Sequence, residues 1–128
     1  MALTKTPVTL IASGTVNAAA GTTRGTADLR QSYGGMLTIK LTNNGALGAQ
    51  AVANVLLAHT DGATPAAGSA GVDWKTLFSV GNGTITGTVG EWSVPIDPSI
   101  NHIEVEVTGN TTNGVTCEAI ITTVPSLG

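Results

Sequence analysis

Few side chains in this sequence carry groups that do chemistry, and most of those fall in three places. His102 and Glu104 form an H-x-E, the opening of several zinc motifs. On a strand the two share one face, about 7 Å apart. A zinc site needs three or four donors, and neither a C-x-x-C nor a second histidine lies near them; His59 is the other histidine of the chain. His102, Glu104 and Glu106 therefore read as a solvated outer face, and no metal ligand is expected. Cys117 is the single cysteine and falls on the apolar side of an alternating run with Val115, Ala119 and Ile121. A thiol placed there behaves as a small hydrophobe, not as a nucleophile, and it has no internal disulfide partner. No serine occupies a G-x-S-x-G elbow, and Asp61, Asp73 and Asp97 do not fit a calcium loop. The glycine-rich stretch 81–90 lacks the lysine and following helix of a phosphate cradle and reads as a β-hairpin. No catalytic residue and no cofactor is expected.

The third place is "TADLRQSYGG", residues 26–35, which holds Asp28, Arg30 and the only tyrosine, Tyr33, in a chain just 10% charged and 3% aromatic. On a strand, Asp28 and Arg30 are two apart and point the same way, so they pair with each other or with Lys40 or Glu118 on a neighbouring strand. Leu29 then faces the core, and Gly34-Gly35 lets the backbone reverse into the next strand. Tyr33 is expected to lay its ring over this corner. Nothing here joins a nucleophile to a base, so Asp28, Arg30, Tyr33, Gly34 and Gly35 form a structural corner.

The elements that position these residues follow from two patterns. In 36–42, 102–108 and 115–121, apolar and polar residues alternate with period two, which marks half-buried strands. Asn44-Gly45, Asn82-Gly83 and Asn113-Gly114 are turn dipeptides. Together they predict strands near 6–13, 22–30, 35–43, 50–60, 74–81, 84–89, 91–96, 101–108 and 114–124. The Ala-rich run 46–58 has no clean helical stripe and reads as a strand buried on both faces. The loop 61–73 contains little that packs and is expected to be a flexible surface excursion. Eight or nine short antiparallel strands in a single domain (1–128) make an all-β sandwich, jelly-roll-like or another Greek key.

The totals exclude several functions. A formal charge of −3 with five Lys and Arg lacks the basic footprint of a nucleic-acid binder. No run approaches the ~20 apolar residues of a membrane helix. The opening "MALTKTPVTLIASG" reads as an extended arm (1–7) leading into a strand and not as a secretory leader. Lys5, Thr6 and Pro7 in that arm are candidate interface residues. So are Trp74 and Trp92, since tryptophan in so aromatic-poor a chain serves as a core or interface anchor.

Three phrases, "ADLRQSYGGMLTIKLTNNG", "VGNGTITGTVGEWSVPI" and "HIEVEVTGNTTNGVTCEA", together resemble small β-rich head proteins of tailed bacteriophages, the decoration or cement proteins. The resemblance implies a virion structural protein made in the host cytoplasm. It would bind the outside of the major capsid protein shell as a small homo-oligomer, a dimer or trimer, and reinforce it, with no enzymatic activity. The alternative is a tail- or fibre-associated module that binds a host surface glycan.

Overall fold

The computed structural model describes residues 4–68 and 73–125. Its strands are β1 (Thr6–Asn17), β2 (Thr22–Asp28), β3 (Ser32–Asn43), β4 (Val52–Ala58), β5 (Trp74–Gly81), β6 (Val89–Ile96), β7 (His102–Thr108) and β8 (Val115–Pro125). Among the described residues there is no helix. The strands form two antiparallel sheets: sheet A in the order β1-β8-β3-β6, and sheet B in the order β2-β7-β4-β5. Every connection crosses from one sheet to the other except β4–β5, which is the order of an eight-stranded jelly roll.

The period-two residues face where their alternation requires. Leu37, Ile39 and Leu41 of β3 and Cys117, Ala119 and Ile121 of β8 meet Ile103, Val105 and Val107 of β7 and Ala53 and Val55 of β4, all buried. The core is thus made of Leu, Ile, Val and Ala, with Phe78 and Trp92 packed half-buried at its border. Of the Ala-rich run 46–58, Val52–Ala58 forms strand β4, but it is not buried on both faces as expected: Val52, Asn54 and Leu56 on its outer face are half-buried, and Leu47 and Ala51 are buried ahead of it.

Two expectations about elements are corrected. Residues 81–90 do not form a hairpin, because β5 belongs to sheet B and β6 to sheet A. The Asn82 amide donates to Leu41 O at 3.1 Å and to Thr88 O at 3.0 Å, holding the chain where it changes sheet. The arm also stops short of residue 7: Thr6 and Pro7 already belong to β1, opposite Thr123 and Thr122, and Thr123 Oγ1 donates to Thr6 O at 3.0 Å. Pro7 sits on an edge strand, the position in a sheet that tolerates proline. Lys5 is exposed just ahead of that strand, and residues 1–3 lie outside the described residues.

β1 and β2 close one flank of the sandwich, where Leu10 presses its carbonyl onto Gly25 so tightly that a Cβ there has no room. β5 and β6 run along the opposite flank. Replacing Gly25 by alanine forces that closure apart and should lower stability by about 1–3 kcal/mol, the usual cost of overpacking. Gly62→Ala is the control, since its Cβ would meet Thr60 Oγ1 at an ordinary 3.4 Å. Denaturant midpoints that shift equally for the two variants would contradict this account of the flank.

Candidate functional site

The two outer faces of the sandwich differ in what covers them. On sheet B the register sets four outward rows across β2, β7, β4 and β5. One row is hydrogen-bonded end to end: Arg24 Nε donates to Glu106 Oε2 at 3.1 Å, Asn54 Nδ2 to Glu106 Oε1 at 3.1 Å, and Ser79 Oγ to Asn54 Oδ1 at 2.6 Å. Two rows on lie Asp28, His102, Ala58 and Trp74. Alternation placed His102 and Glu104 on this outer face correctly, but they are not solvated. His102 is 0% and Glu104 1% exposed.

What covers them is the β4–β5 loop. The His102 Nε2–H donates to Gly62 O at 3.0 Å, and Nδ1 is hydrogen-bonded to the Thr64 hydroxyl at 2.9 Å. Gly68 N donates to Glu104 Oε1 at 3.1 Å, and Trp74 Nε1 donates to Ala66 O at 3.0 Å. The described part of the loop is therefore a strap tied by four hydrogen bonds to His102, Glu104 and Trp74, not a loose excursion; residues 69–72 lie outside the described residues. Burial pushes the Glu104 carboxyl above the usual carboxylate range, while the Gly68 N–H and the Arg24 guanidinium, 3.5 Å away, pull it back. Both His102 nitrogens and the Glu104 carboxylate are thus consumed in holding the strap. Trp74, expected as an interface residue, is only 2% exposed because the same strap covers it.

The corner at 28–35 anchors the start of that strap. Arg30 and Asp28 pair with each other, Nη2 to Oδ2 at 2.7 Å and Nε to Oδ1 at 3.0 Å, while Arg30 Nη1 donates to Asp61 O at 2.9 Å. Lys40 and Glu118 are not their partners because both lie in sheet A. Leu29 faces the core, 1% exposed. The reversal is the turn closed by Ser32 N to Leu29 O at 3.0 Å. Gly34, with φ 68°, and Gly35 form a bulge pressed against Ile96 O and Thr122 O, where no side chain fits. Tyr33 is 53% exposed, and the backbone of Ile96 and Asp97 lies beside Gly34.

Sheet A carries no such cover. Its outward rows across β1, β8, β3 and β6 are Pro7, Thr122, Met36 and Pro95, then Thr9, Ile120, Thr38 and Ser93. Next come Glu118, Lys40 and Glu91, then Val16, Thr116, Thr42 and Val89. Hydroxyls alternate with apolar side chains, and Met36, Val16 and Val89 are 48%, 54% and 54% exposed. The one charged row is tied by Lys40 Nζ to Glu91 Oε1 at 3.6 Å. β1 bulges away from β8 over Ala12–Gly14, with Gly14 at φ 85°. The bulge opens a cleft of about 200 Å3 lined by Ser13, Gly14, Lys40, Thr42, Thr116, Cys117 and Glu118. Cys117 lies at the inner wall, 1% exposed, its thiol raised by burial and donating to Thr15 O at 3.4 Å. Trp92 turns inward opposite Ile39 and is half-buried, its ring over Gly90. Sequence reasoning missed this face as a unit. Its signal was the uniform Thr, Ser and apolar composition of the outward positions, which becomes a surface only once strand order is known.

No family model matches this chain, and no curated protein sequence does. Solved structures are similar in fold. A cleaved adhesin domain of Lys-gingipain from Porphyromonas gingivalis superposes with a TM-score of 0.60 at 14% identity, covering 84% of this chain and 71% of that one. A second cleaved adhesin domain of the same protein gives 0.50 at 12% identity, covering 95% and 83%. The SPBc2 prophage-derived protein YomS gives 0.46 at 16% identity, covering 95% and 96%. Likeness at these identities establishes the β-sandwich and nothing finer.

The strap yields a pH test. The Arg30 guanidinium holds the Asp28 carboxyl down at about 2, so the folded state prefers the carboxylate. Stability from this pair is complete above about pH 5 and is lost as pH falls through the ordinary value towards 2. The stability gap between wild type and Asp28→Asn should stay constant from pH 8 to about 5 and close below pH 4. A gap that widens on acidification would refute the pairing as the anchor.

Proposed function

We propose that this chain is a non-catalytic attachment module of a virion, a decoration protein that lies against the major capsid protein through the outer face of sheet A. The observation that carries the reading is the asymmetry of the faces. The strap occupies His102, Glu104 and Trp74 on sheet B, while sheet A stays bare, its outward positions hydroxyl and apolar apart from the single charged row Glu118, Lys40 and Glu91. Such a face docks by shape fit, apolar burial and hydroxyl hydrogen bonds, not by long-range charge.

Size bears on the assembly. Four strands at about 4.8 Å and seven residues at about 3.4 Å span roughly 19 by 24 Å, a projected area well below the ~800 Å2 per partner of a standard interface. A single copy would hold weakly, and a small symmetric oligomer would hold through avidity. The glycan-binding alternative is less well supported. An aromatic platform for a sugar ring would fall to Trp74, Trp92 or Tyr33; the first lies under the strap, the second faces inward, and Tyr33 alone is exposed, one ring with no second aromatic beside it in the outward rows.

Co-sedimentation with undecorated phage heads tests the reading. Met36→Lys and Val16→Lys should each weaken retention at least tenfold while shifting stability by no more than about 0.5 kcal/mol, as exposed positions do. Retention by wild type should fall only slightly up to ~0.5 M salt, where screening lengths are a few ångströms. Release by moderate salt, or binding to host polysaccharide without binding to heads, would overturn it.

A further inference from the structure

Glu118 is a half-buried carboxylate that lines the cleft beside the β1 bulge. Lys40 stands directly opposite it on β3, yet the Lys40 ammonium lies 3.6 Å from Glu91 on the far side. Ala12–Gly14 of β1 loop out where a cross-strand partner for Glu118 would stand. Among the described residues no hydrogen bond or ion pair engages the Glu118 side chain, whereas every fully buried polar side-chain atom among them is satisfied. A carboxylate half withdrawn from water gains from a compensating charge or donor. Here the fold supplies a cavity in its place.

We propose that this cleft is a site for one guanidinium group, supplied by an arginine side chain of the protein surface on which the chain docks. The identity of that donor rests on the docking reading above; the chemistry of the site does not. A planar guanidinium meets a carboxylate through two parallel N–H···O bonds, which a point-charge ammonium cannot match. Its remaining N–H groups find acceptors in the hydroxyl oxygens of Ser13, Thr42 and Thr116, which line the same cleft. At about 200 Å3 the cleft has several times the roughly 30 Å3 share of one water, room for one side-chain head group. The ion pair would be partly shielded from solvent and so only weakly screened by salt, consistent with salt-tolerant retention.

The test uses the whole chain and N-acetyl-arginine amide as probe, followed by amide chemical shifts. Saturable shifts at Ser13, Thr42, Thr116 and Glu118 are expected, at least tenfold weaker in Glu118→Gln and weak for the neutral citrulline analogue. Lys40→Met, which removes the competing cation, should leave binding equal or tighter. Loss of binding in Lys40→Met as severe as in Glu118→Gln would overturn the carboxylate site. So would equal binding of the citrulline analogue, preferential binding of a methyl pyranoside, or no binding of the arginine probe. In the head co-sedimentation assay, Glu118→Gln should lower retention at least tenfold, and unchanged retention would overturn the shell as donor. If wild type binds the probe but no heads, the docking reading fails while the guanidinium site stands.

Discussion

Six of the seven connections in this fold cross between its two sheets, which follows from the strand orders β1-β8-β3-β6 and β2-β7-β4-β5. Each crossing takes backbone out of a ladder at the edge of the core, where polar groups still need partners. Buried asparagines meet this constraint. Asn17 and Asn110 bond each other at 2.6 Å, and Asn110 Nδ2 also donates to Asn17 O at 3.2 Å and Asn113 O at 3.0 Å. Asn43 and Asn82 do the same for the β3–β4 and β5–β6 crossings, with Asn82 Nδ2 donating to Asn43 Oδ1 at 3.1 Å. A short amide side chain both donates and accepts, so it can stand in for a strand at the place where the strand leaves. Without these four residues, each 7% exposed or less, a small-residue core with no disulfide would be left with unpaired backbone at its rim.

The one connection that stays within a sheet is free of that duty. β4 and β5 are neighbours in sheet B, so the chain between them need not span the sandwich and can lie on the outer face. It does, tied by His102, Glu104, Trp74 and Arg30. A histidine, a glutamate and a tryptophan on one face would ordinarily suggest a binding site. Here they act as fasteners, and the face that could have been reactive is closed. The outward rows of the other sheet hold hydroxyls, isolated apolar side chains and one charged row beside a bulge.

This division has a stability consequence as well. Sheet B is reinforced by polar bonds on its outside and by the core on its inside. Sheet A has only its core side packed, and its outer apolar residues gain from being covered.

The sequence by itself determined the elements and their faces. Period-two alternation in β3, β7 and β8 is a local property, so Leu37, Ile39, Val105 and Ile121 could be assigned to the core without knowing any neighbour. Turn dipeptides marked the ends of β3 and β5 and the start of β8, and the small-residue composition limited the architecture to packed sheets. Alternation also put His102 and Glu104 on an outer face, but it carries no information about what lies above that face. Whether an outward side chain is solvated depends on a segment some forty residues away, as Gly62, Thr64 and Gly68 are from His102 and Glu104. The pairing of Asp28 with Arg30 was readable because the two are neighbours in the chain. The open partnership of Glu118 was not, because it arises from a bulge in β1, a strand about a hundred residues earlier. Local chemistry sets which way each residue points; only the long-range pairing of strands and the path of one loop decide which of those residues meet water.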